Sequence, residues 1–424
     1  PDPYTHRQEC EPWQWRPQGP RLRAKTLQGC GMEPISTQVA IVGAGPSGMI
    51  LALLLQMAGV DCVVLERRAR ADVLARIRAG VLEPSAVEFL RESGLVTRLD
   101  RLGRPRNGSR IAWQDRPSMM IDVKRWTGTE MMAYGQTFLT EDLYAQSDLL
   151  GTRLFEEVSE LQIAGIDSPR PTLDFRSPKG SFRVTCDYVI GCDGARGQCV
   201  SLIPEANRRT FERVYPFGWL GIMSETPPID DFTYIHHADG FALAAQRGPN
   251  LSRYYVQTPL DQGVEAWSDD RFWKTFLHRA PKDIAEQVVT GPSIEKSLAP
   301  LRSRVVEPMR WGNLFLAGDA AHVVPPTGAK GLNLAISDVR LLSRALLAHY
   351  KDGTDELLDR YSQDALQRVW AASNLSWKLT RLLHVFPGEP SIDARLRLCD
   401  YEQLLESEDL RRALARDYAG ASLA

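Results

Sequence analysis

The chain has 424 residues, 43% hydrophobic and 25% charged, values that suit two or three ordinary globular domains and exclude a cross-linked mini-protein, a coiled coil or a wholly disordered chain. Lys+Arg 51 against Asp+Glu 53 leaves a formal net charge of −2, and with no basic half to the chain a nucleic-acid partner is not expected. The longest greasy run, Met49 to Leu55, is far short of the roughly 20 residues that cross a bilayer, so no membrane partner is expected either.

Residues 1–31 hold Pro, Gln, Arg and two Trp without helical or strand period, and read as a disordered leader ahead of Met32. From Thr37 the pattern changes. Val39-Ala40-Ile41-Val42 is a continuous β-prone run, followed by a glycine-rich turn, an apolar helical stretch to about Met57 that Gly59 ends, and a second buried strand from Val60 to Leu65. This is a βαβ unit. Further strands of the same kind, Asp187 to Gly191 and Asn313 to Ala317, predict a parallel sheet assembled from distant pieces of chain. Between them, about 211–309, short aromatic strands such as Tyr234-Ile235-His236-His237 and Ser252 to Val256 predict a mixed or antiparallel module. From Gly331 the pattern becomes helical, with a long amphipathic stretch from Asp355 to Leu383. The seven cysteines include no CxxC pair and no histidine at zinc-finger spacing; they read as reduced thiols of a cytoplasmic protein without a metal site.

In Gly43-Ala44-Gly45-Pro46-Ser47-Gly48 each glycine has a physical task. Gly43 makes the tight turn, Gly45 lets backbone approach a pyrophosphate, and Gly48 lets helix and strand pack closely. Glu66, 18 residues beyond Gly48 at the end of the second strand, is placed to accept two ribose hydroxyls. The fingerprint predicts a dinucleotide without choosing nicotinamide or flavin. Cys192-Asp193-Gly194 and Ala317-Gly318-Asp319 each close a strand with an aspartate where parallel sheets deliver ligands.

At this point the chain resembles the single-component (class A) flavoprotein aromatic hydroxylases. The resemblance runs from about Thr37 to Tyr418 and rests on Ala75 to Glu83 (ARIRAGVLE), Phe211 to Trp219 (FERVYPFGW) and Val324 to Asn333 (VPPTGAKGLN). It implies a Rossmann-like, FAD-binding parallel sheet in an α/β fold of mixed α+β character: an FAD-binding domain at 32–209 completed by 310–345, an inserted substrate domain at 210–309, and a helical interface region at 346–424. It implies FAD contacts from Gly43, Gly45, Ser47, Gly48 and Glu66 for the adenosine half. Arg76, Arg78 and Gln136 fall near the pyrophosphate and ribityl chain, Asp193 and Asp319 at the two later turns, and Arg253 beside the ring system. Lys330, Gly331, Leu332 and Asn333 open a helix at the flavin edge, whose N–H groups and dipole stabilise reduced flavin.

The same resemblance implies 4-hydroxybenzoate as substrate. Arg247 pairs with its carboxylate, aided by Tyr255; Tyr215 and Tyr418, bonded to each other, bind the phenolic oxygen and relay its proton; the Pro326 carbonyl accepts from the phenol. Two positions depart from the family's pattern. Ala245 replaces a serine, a lost hydrogen bond worth about 1 kcal/mol, and Arg106 stands where the relay ends in a histidine, although guanidinium cannot take up a proton near neutral pH. The implied reaction is hydride transfer from NADPH or NADH to FAD, addition of O2 at flavin C4a, and attack by the ring carbon ortho to the phenolate to give 3,4-dihydroxybenzoate. Arg67 and Arg68, after the second strand, suit a 2′-phosphate, which Asp72 opposes. The C-terminal helices are expected to form a homodimer. The competing readings are a sibling hydroxylase of another benzoate such as an aminobenzoate, an FAD-binding redox-sensing module without turnover, and a plain nicotinamide dehydrogenase.

Overall fold

A computed structural model of the protein describes residues 32–75 and 80–420, so the expected leader and the expected cofactor residues Arg76 and Arg78 lie outside the described residues. Val39–Val42, Cys62–Leu65 and Tyr188–Gly191 are buried at every residue, the signature of strands covered on both faces. They form the centre of a six-stranded sheet in the order Arg310–Trp311, Leu314–Leu316, Tyr188–Gly191, Val39–Val42, Cys62–Leu65 and Leu154–Phe155. All its pairings are parallel except that of Arg310–Trp311 with Leu314–Leu316. Helix Pro46–Met57 starts with a proline in its first turn, where the missing N–H is no loss, and Gly59, at φ +81, turns the chain back toward the next strand.

An eight-stranded sheet carries the other half, in the order His322–Val323, Ser293–Glu307, Arg209–Ser224, Leu251–Thr258, Ala242–Gly248, Thr233–His236, Gly108–Trp113 and Arg116–Asp122. Its membership differs from the expected boundaries. Residues 108–122 and 322–323, assigned by sequence to the nucleotide half, add strands to the two edges of this sheet. The reason is burial: Ile111, Trp113 and Ile121 pack with Tyr234, Leu243 and Tyr401 rather than with the parallel sheet.

Helix Glu356–Leu383 joins the two halves. At 28 residues it is about 42 Å long, and it buries Leu358, Tyr361, Ala365 and Val369 in the core of the parallel sheet, then Leu375, Leu379, Leu382 and Leu383 in the aromatic core of the large sheet. Helices Ser391–Glu406 and Glu408–Ala419 fold back on it and deliver Tyr418 to that second core. Among the described residues no helix is long and apolar enough to cross a membrane.

Candidate active site

The glycine turn behaves as its spacing requires. A Cβ on Gly43 would lie 2.3 Å from the Cys192 carbonyl oxygen and one on Gly48 only 1.9 Å from the Gly43 carbonyl oxygen, whereas one on Gly45 would meet nothing within 4 Å. Two glycines are therefore demanded by packing inside the protein, and Gly45 alone faces open space. Helix Pro46–Met57 begins with no side-chain cap, leaving its first N–H groups available to an anion. Buried Glu66 accepts the Ala44 N–H at 2.8 Å through Oε2 and the Arg68 N–H at 3.0 Å through Oε1. Those bonds fix the carboxylate and leave further lone pairs for two hydroxyls. Ser47 lies beside the third turn, since a Cβ on Gly318 would come within 2.7 Å of its hydroxyl.

The two aspartate turns differ from each other. Asp319 sits in the short turn Gly318–Ala320, half-buried. Asp193 instead turns its carboxylate inward. Oδ2 accepts the Cys199 N–H at 2.9 Å, Oδ1 is buried without a partner, and the carboxyl group packs where a Cβ on Gly197 would stand. Burial raises its pKa, and the Cys199 N–H opposes that rise. Arg304, which sequence reading missed, ties the turns together by donating to the carbonyl oxygens of Ala195 (3.1 Å), Asp319 (3.0 Å) and Ala320 (3.2 Å). Buried Asp338 accepts from the Gly318 N–H at 2.8 Å and bonds the His322 imidazole at 2.7 Å. Burial works against the His322 cation, but the Asp338 carboxylate outweighs it and raises the pKa.

Helix Gly331–Leu347 also starts without a side-chain cap, and a Cβ on Gly331 would touch nothing within 4 Å. Two side chains at this helix start are engaged within the protein, which leaves the expected backbone N–H groups for a ligand. The buried ammonium of Lys330 pairs with Glu83 at 2.6 Å and donates to the carbonyl oxygens of Asp417 (3.1 Å) and Tyr418 (2.9 Å). The Asn333 side chain is equally committed, accepting the Glu83 N–H and donating to the carbonyls of Val81 and Ala329. The cause is Glu83, a buried carboxylate that needs cations; it takes both Lys330 and Arg368. Glu83 ends the first stretch that carries the family resemblance, the only sequence signal that could have drawn attention to it. A ligand at this helix would meet backbone N–H groups of Gly331, Leu332 and Asn333 rather than the two side chains.

Arg247, Arg253, Tyr255 and Ala245 come together on the hairpin Ala242–Gly248 and Leu251–Thr258, where Ala245 is paired across the strands with Arg253. Arg253 is held by Glu295 at 2.9 Å and Ser297 at 2.6 Å, with its guanidinium 5.1 Å from the Tyr255 ring centre. Gly221 makes room for both, since a Cβ there would stand 2.5 Å from the Tyr255 ring. Among the described residues Arg247 forms no ion pair with a carboxylate; it donates to the Gln246 carbonyl at 3.2 Å, and burial, with the nearby Arg253 charge, lowers its pKa against the pull of Tyr255 and Glu295. A buried guanidinium without a paired carboxylate favours an anionic ligand. Arg106 reaches the same place, donating to the Gln246 side chain and to the Asp230 carbonyl at 2.9 Å.

The expected contact between Tyr215 and Tyr418 is not formed. Tyr215 bonds Ser303 at 3.1 Å among Phe217, Trp377 and Phe386. Tyr418 bonds Ser109 at 2.9 Å and Tyr234 at 3.1 Å, and Tyr234 donates to the Thr327 carbonyl at 2.6 Å. The register of strand Arg209–Ser224 against Ser293–Glu307 shifts between Val214 and Gly218, which re-aims Tyr215. Arg247, Arg106, Gln246, Ser109 and Val81 line one cleft, and Tyr215 is not among its lining residues. The Pro326 carbonyl accepts the Ala329 N–H at 2.9 Å, which leaves it one lone pair.

A model of the FAD-binding-domain family matches residues 36–376. The chain is 44% identical over 391 residues to the p-hydroxybenzoate hydroxylase of Acinetobacter baylyi, covering 92% of this chain and 96% of that one. The protein belongs to the class A flavoprotein aromatic hydroxylases. The para-nitrophenol 4-monooxygenase of a Pseudomonas strain is 26% identical over 374 residues, covering 80% of the hydroxylase and 86% of that protein. The solved structure of p-nitrophenol 4-monooxygenase from Pseudomonas putida shares the fold, with a TM-score of 0.73 at 20% identity over 92% of the hydroxylase and 99% of that chain.

FAD is thus the cofactor of the hydroxylase, a reduced nicotinamide nucleotide its co-substrate, and an aromatic small molecule and O2 its substrates. The residues present fit FAD. Gly45 faces open space, Glu66 keeps free lone pairs, and two long helices, at Pro46 and Gly331, start uncapped by side chains. Gln136 opens helix Gln136–Leu150, its backbone N–H next to Gly80. Arg67 is exposed and Arg68 half-buried, at the surface end of the second strand.

Proposed function

We propose that the hydroxylase converts 4-hydroxybenzoate to 3,4-dihydroxybenzoate, with NADPH or NADH as reductant. The observation that carries this reading is the cleft itself, which is lined by Arg247, an arginine in no ion pair among the described residues, and by Ser109, a hydroxyl of a buried hydrogen-bond chain. When bound, FAD supplies two-electron chemistry with the nicotinamide nucleotide and activation of O2. The residues of the chain hold the substrate and manage its proton. Arg247, beside Tyr255, takes the carboxylate in a charge-assisted pair.

The hydroxyl chain has a fixed direction. The Thr327 carbonyl can only accept, so Tyr234 donates to it; Tyr418 must then donate to Tyr234, and Ser109 to Tyr418. Ser109 Oγ is left as an acceptor for a phenol O–H in the cleft. Burial raises the pKa of Tyr418, its bonds to Ser109 and Tyr234 opposing this, so the chain polarises the phenol through aligned hydroxyls and not through a tyrosinate. Tyr215, outside that cleft, is the second candidate: among the described residues its hydroxyl bonds Ser303 alone and can take another partner. If Tyr215 holds the phenol, Tyr215→Phe will still reduce flavin but consume O2 largely as peroxide; unchanged coupling assigns the phenol to the Ser109 chain alone.

The decisive experiment is anaerobic flavin reduction by NADPH and by NADH, with and without 4-hydroxybenzoate, followed by product analysis. Stimulation above about tenfold, or 1.4 kcal/mol in the barrier, and a 3,4-dihydroxy product are expected; a smaller effect or preference for an aminobenzoate would overturn the assignment. Arg67 and Arg68 support NADPH as the preferred donor, and the reduced thiols a cytoplasmic setting. Ile392, Leu396 and Leu410, exposed on the last two helices, support a homodimer there.

A further inference from the structure

Away from this cleft, the turn between strands Thr233–His236 and Ala242–Gly248 meets the end of helix Asp269–Arg279. His237 and Asp239 come from the turn and His278 from the last turn of the helix, and one ligand atom from each lies within 4.8 Å of the others. We propose that these three side chains bind a divalent transition metal of the zinc type.

The distances support it. Asp239 Oδ2 is 2.7 Å from His278 Nε2 and 3.7 Å from His237 Nδ1, and the two imidazole centres are 4.7 Å apart. A metal with ligands at about 2.0–2.2 Å in a tetrahedron needs ligand atoms roughly 3.4 Å apart. The longer separation already fits, and the shorter must open by roughly 0.7 Å. That opening is sterically easy, because the side chains of Asp239 and His278 are 65% and 58% exposed. His237 is the buried, fixed member. Its Nδ1 accepts the Asp239 N–H at 3.0 Å, so the nitrogen facing Asp239 is unprotonated and its lone pair can pass to a metal in exchange for that one bond. Two imidazoles and one carboxylate select zinc, nickel, cobalt or copper over magnesium or calcium, which prefer all-oxygen sites. A fourth position faces an open cleft of about 560 Å³, lined also by Gln114, Asp115 and Lys282.

The other described histidines offer no such set. His236 and His384 are buried among aromatic rings, His322 is paired with Asp338, and His349 with Asp355. Bound metal would clamp the strand turn to the helix. The same hairpin carries Tyr234 and Arg247, so the clamp stiffens the wall of the substrate cleft from behind without entering it.

The test uses the full-length FAD-loaded enzyme, treated with chelator, dialysed, and titrated calorimetrically with Zn2+, Ni2+ and Mg2+. One equivalent of Zn2+ or Ni2+ per chain is expected, with no Mg2+ binding and a rise in the unfolding midpoint at saturating Zn2+. His278→Ala and Asp239→Asn, both exposed and outside the hydroxylation site, are expected to weaken binding at least about tenfold, or 1.4 kcal/mol. Substitution by Co2+ should give the visible absorption of a low-coordinate site in the parent enzyme and not in His278→Ala. Absence of the stoichiometric Zn2+ signal, or binding that survives both substitutions, would overturn the proposal.

Discussion

The two halves of the molecule offer a ligand opposite kinds of group. The nucleotide half works with backbone: glycines whose missing Cβ atoms are required by neighbouring carbonyls, uncapped helix starts, and one carboxylate pinned by main-chain N–H groups. The half built on the large sheet offers side chains, namely Arg253 over the Tyr255 ring with Arg247 on the same hairpin, and a line of hydroxyls ending on a carbonyl. Backbone recognition is tied to local chain geometry and tolerates almost no change, whereas side-chain recognition depends on which residues the fold brings together and can be retuned one residue at a time.

That contrast can be broken most severely at the glycine turn. Gly48→Val would drive a side chain into the Gly43 carbonyl, 1.9 Å from the new Cβ, at a cost of about 3 kcal/mol or more. Purified protein should be colourless or insoluble, as read from flavin absorbance per chain. Gly45→Ala, with nothing within 4 Å, should fold normally and lose only FAD affinity. If both variants fold and bind equally, the backbone account of the first half is wrong.

A second effect separates the halves by pH. Burial holds His384 neutral, pushing its pKa down to about 3, and His236 down to about 4, in the core of the large sheet. The His384 ring accepts the Trp219 indole N–H at 2.7 Å and lies 3.0 Å from the Thr380 carbonyl oxygen, so a second proton would break the first bond. The unfolded chain takes up those protons below about pH 6.5 and the folded one does not. Their stabilising contribution is therefore complete above pH 6.5 and declines as the pH falls toward 4 and 3. Between pH 7.5 and 5 the decline should be roughly 2 kcal/mol per histidine, measured by denaturant unfolding. Stability that is flat over this interval would show that these rings are not held neutral.

Within the cleft, Arg247→Ala should raise KM for 4-hydroxybenzoate by roughly 10²-fold, a loss of about 2–3 kcal/mol from a charge-assisted pair, with flavin content unchanged. A fall in kcat at constant KM would place the arginine elsewhere. The smallest effect sharpens the comparison instead. Ala245→Ser restores a hydroxyl opposite Arg253 and should tighten substrate binding about fivefold, near 1 kcal/mol, by equilibrium titration.

Much of the first half was legible because its signals are local. Gly43 to Gly48, Glu66 and the flanking strands lie within thirty residues, and the Gly48–Gly43 approach, the Glu66–Ala44 bond and the pairing of the two strands are made inside one βαβ unit. In the second half, Arg247, Arg253 and Tyr255 share one hairpin, and their meeting followed from strand pairing alone. What was illegible was long-range. The sequence offers the backbone of Lys330 to Asn333 to a ligand and is silent on the side chains, which Glu83, some 250 residues away, engages. The resemblance pairs Tyr418 with Tyr215, whereas packing of the last helix against strands Thr233–His236 and Gly108–Trp113 gives its hydroxyl to Tyr234 and Ser109.

The sequence by itself determined the βαβ fingerprint, the family and the meeting of Arg247, Arg253 and Tyr255 on one hairpin, because each is written in neighbouring residues whose spacing leaves one geometry open. Only the tertiary structure decided which buried carboxylate neutralises which cation and which hydroxyl donates to which, because a buried polar group bonds to whatever the packing of distant segments places within 3 Å.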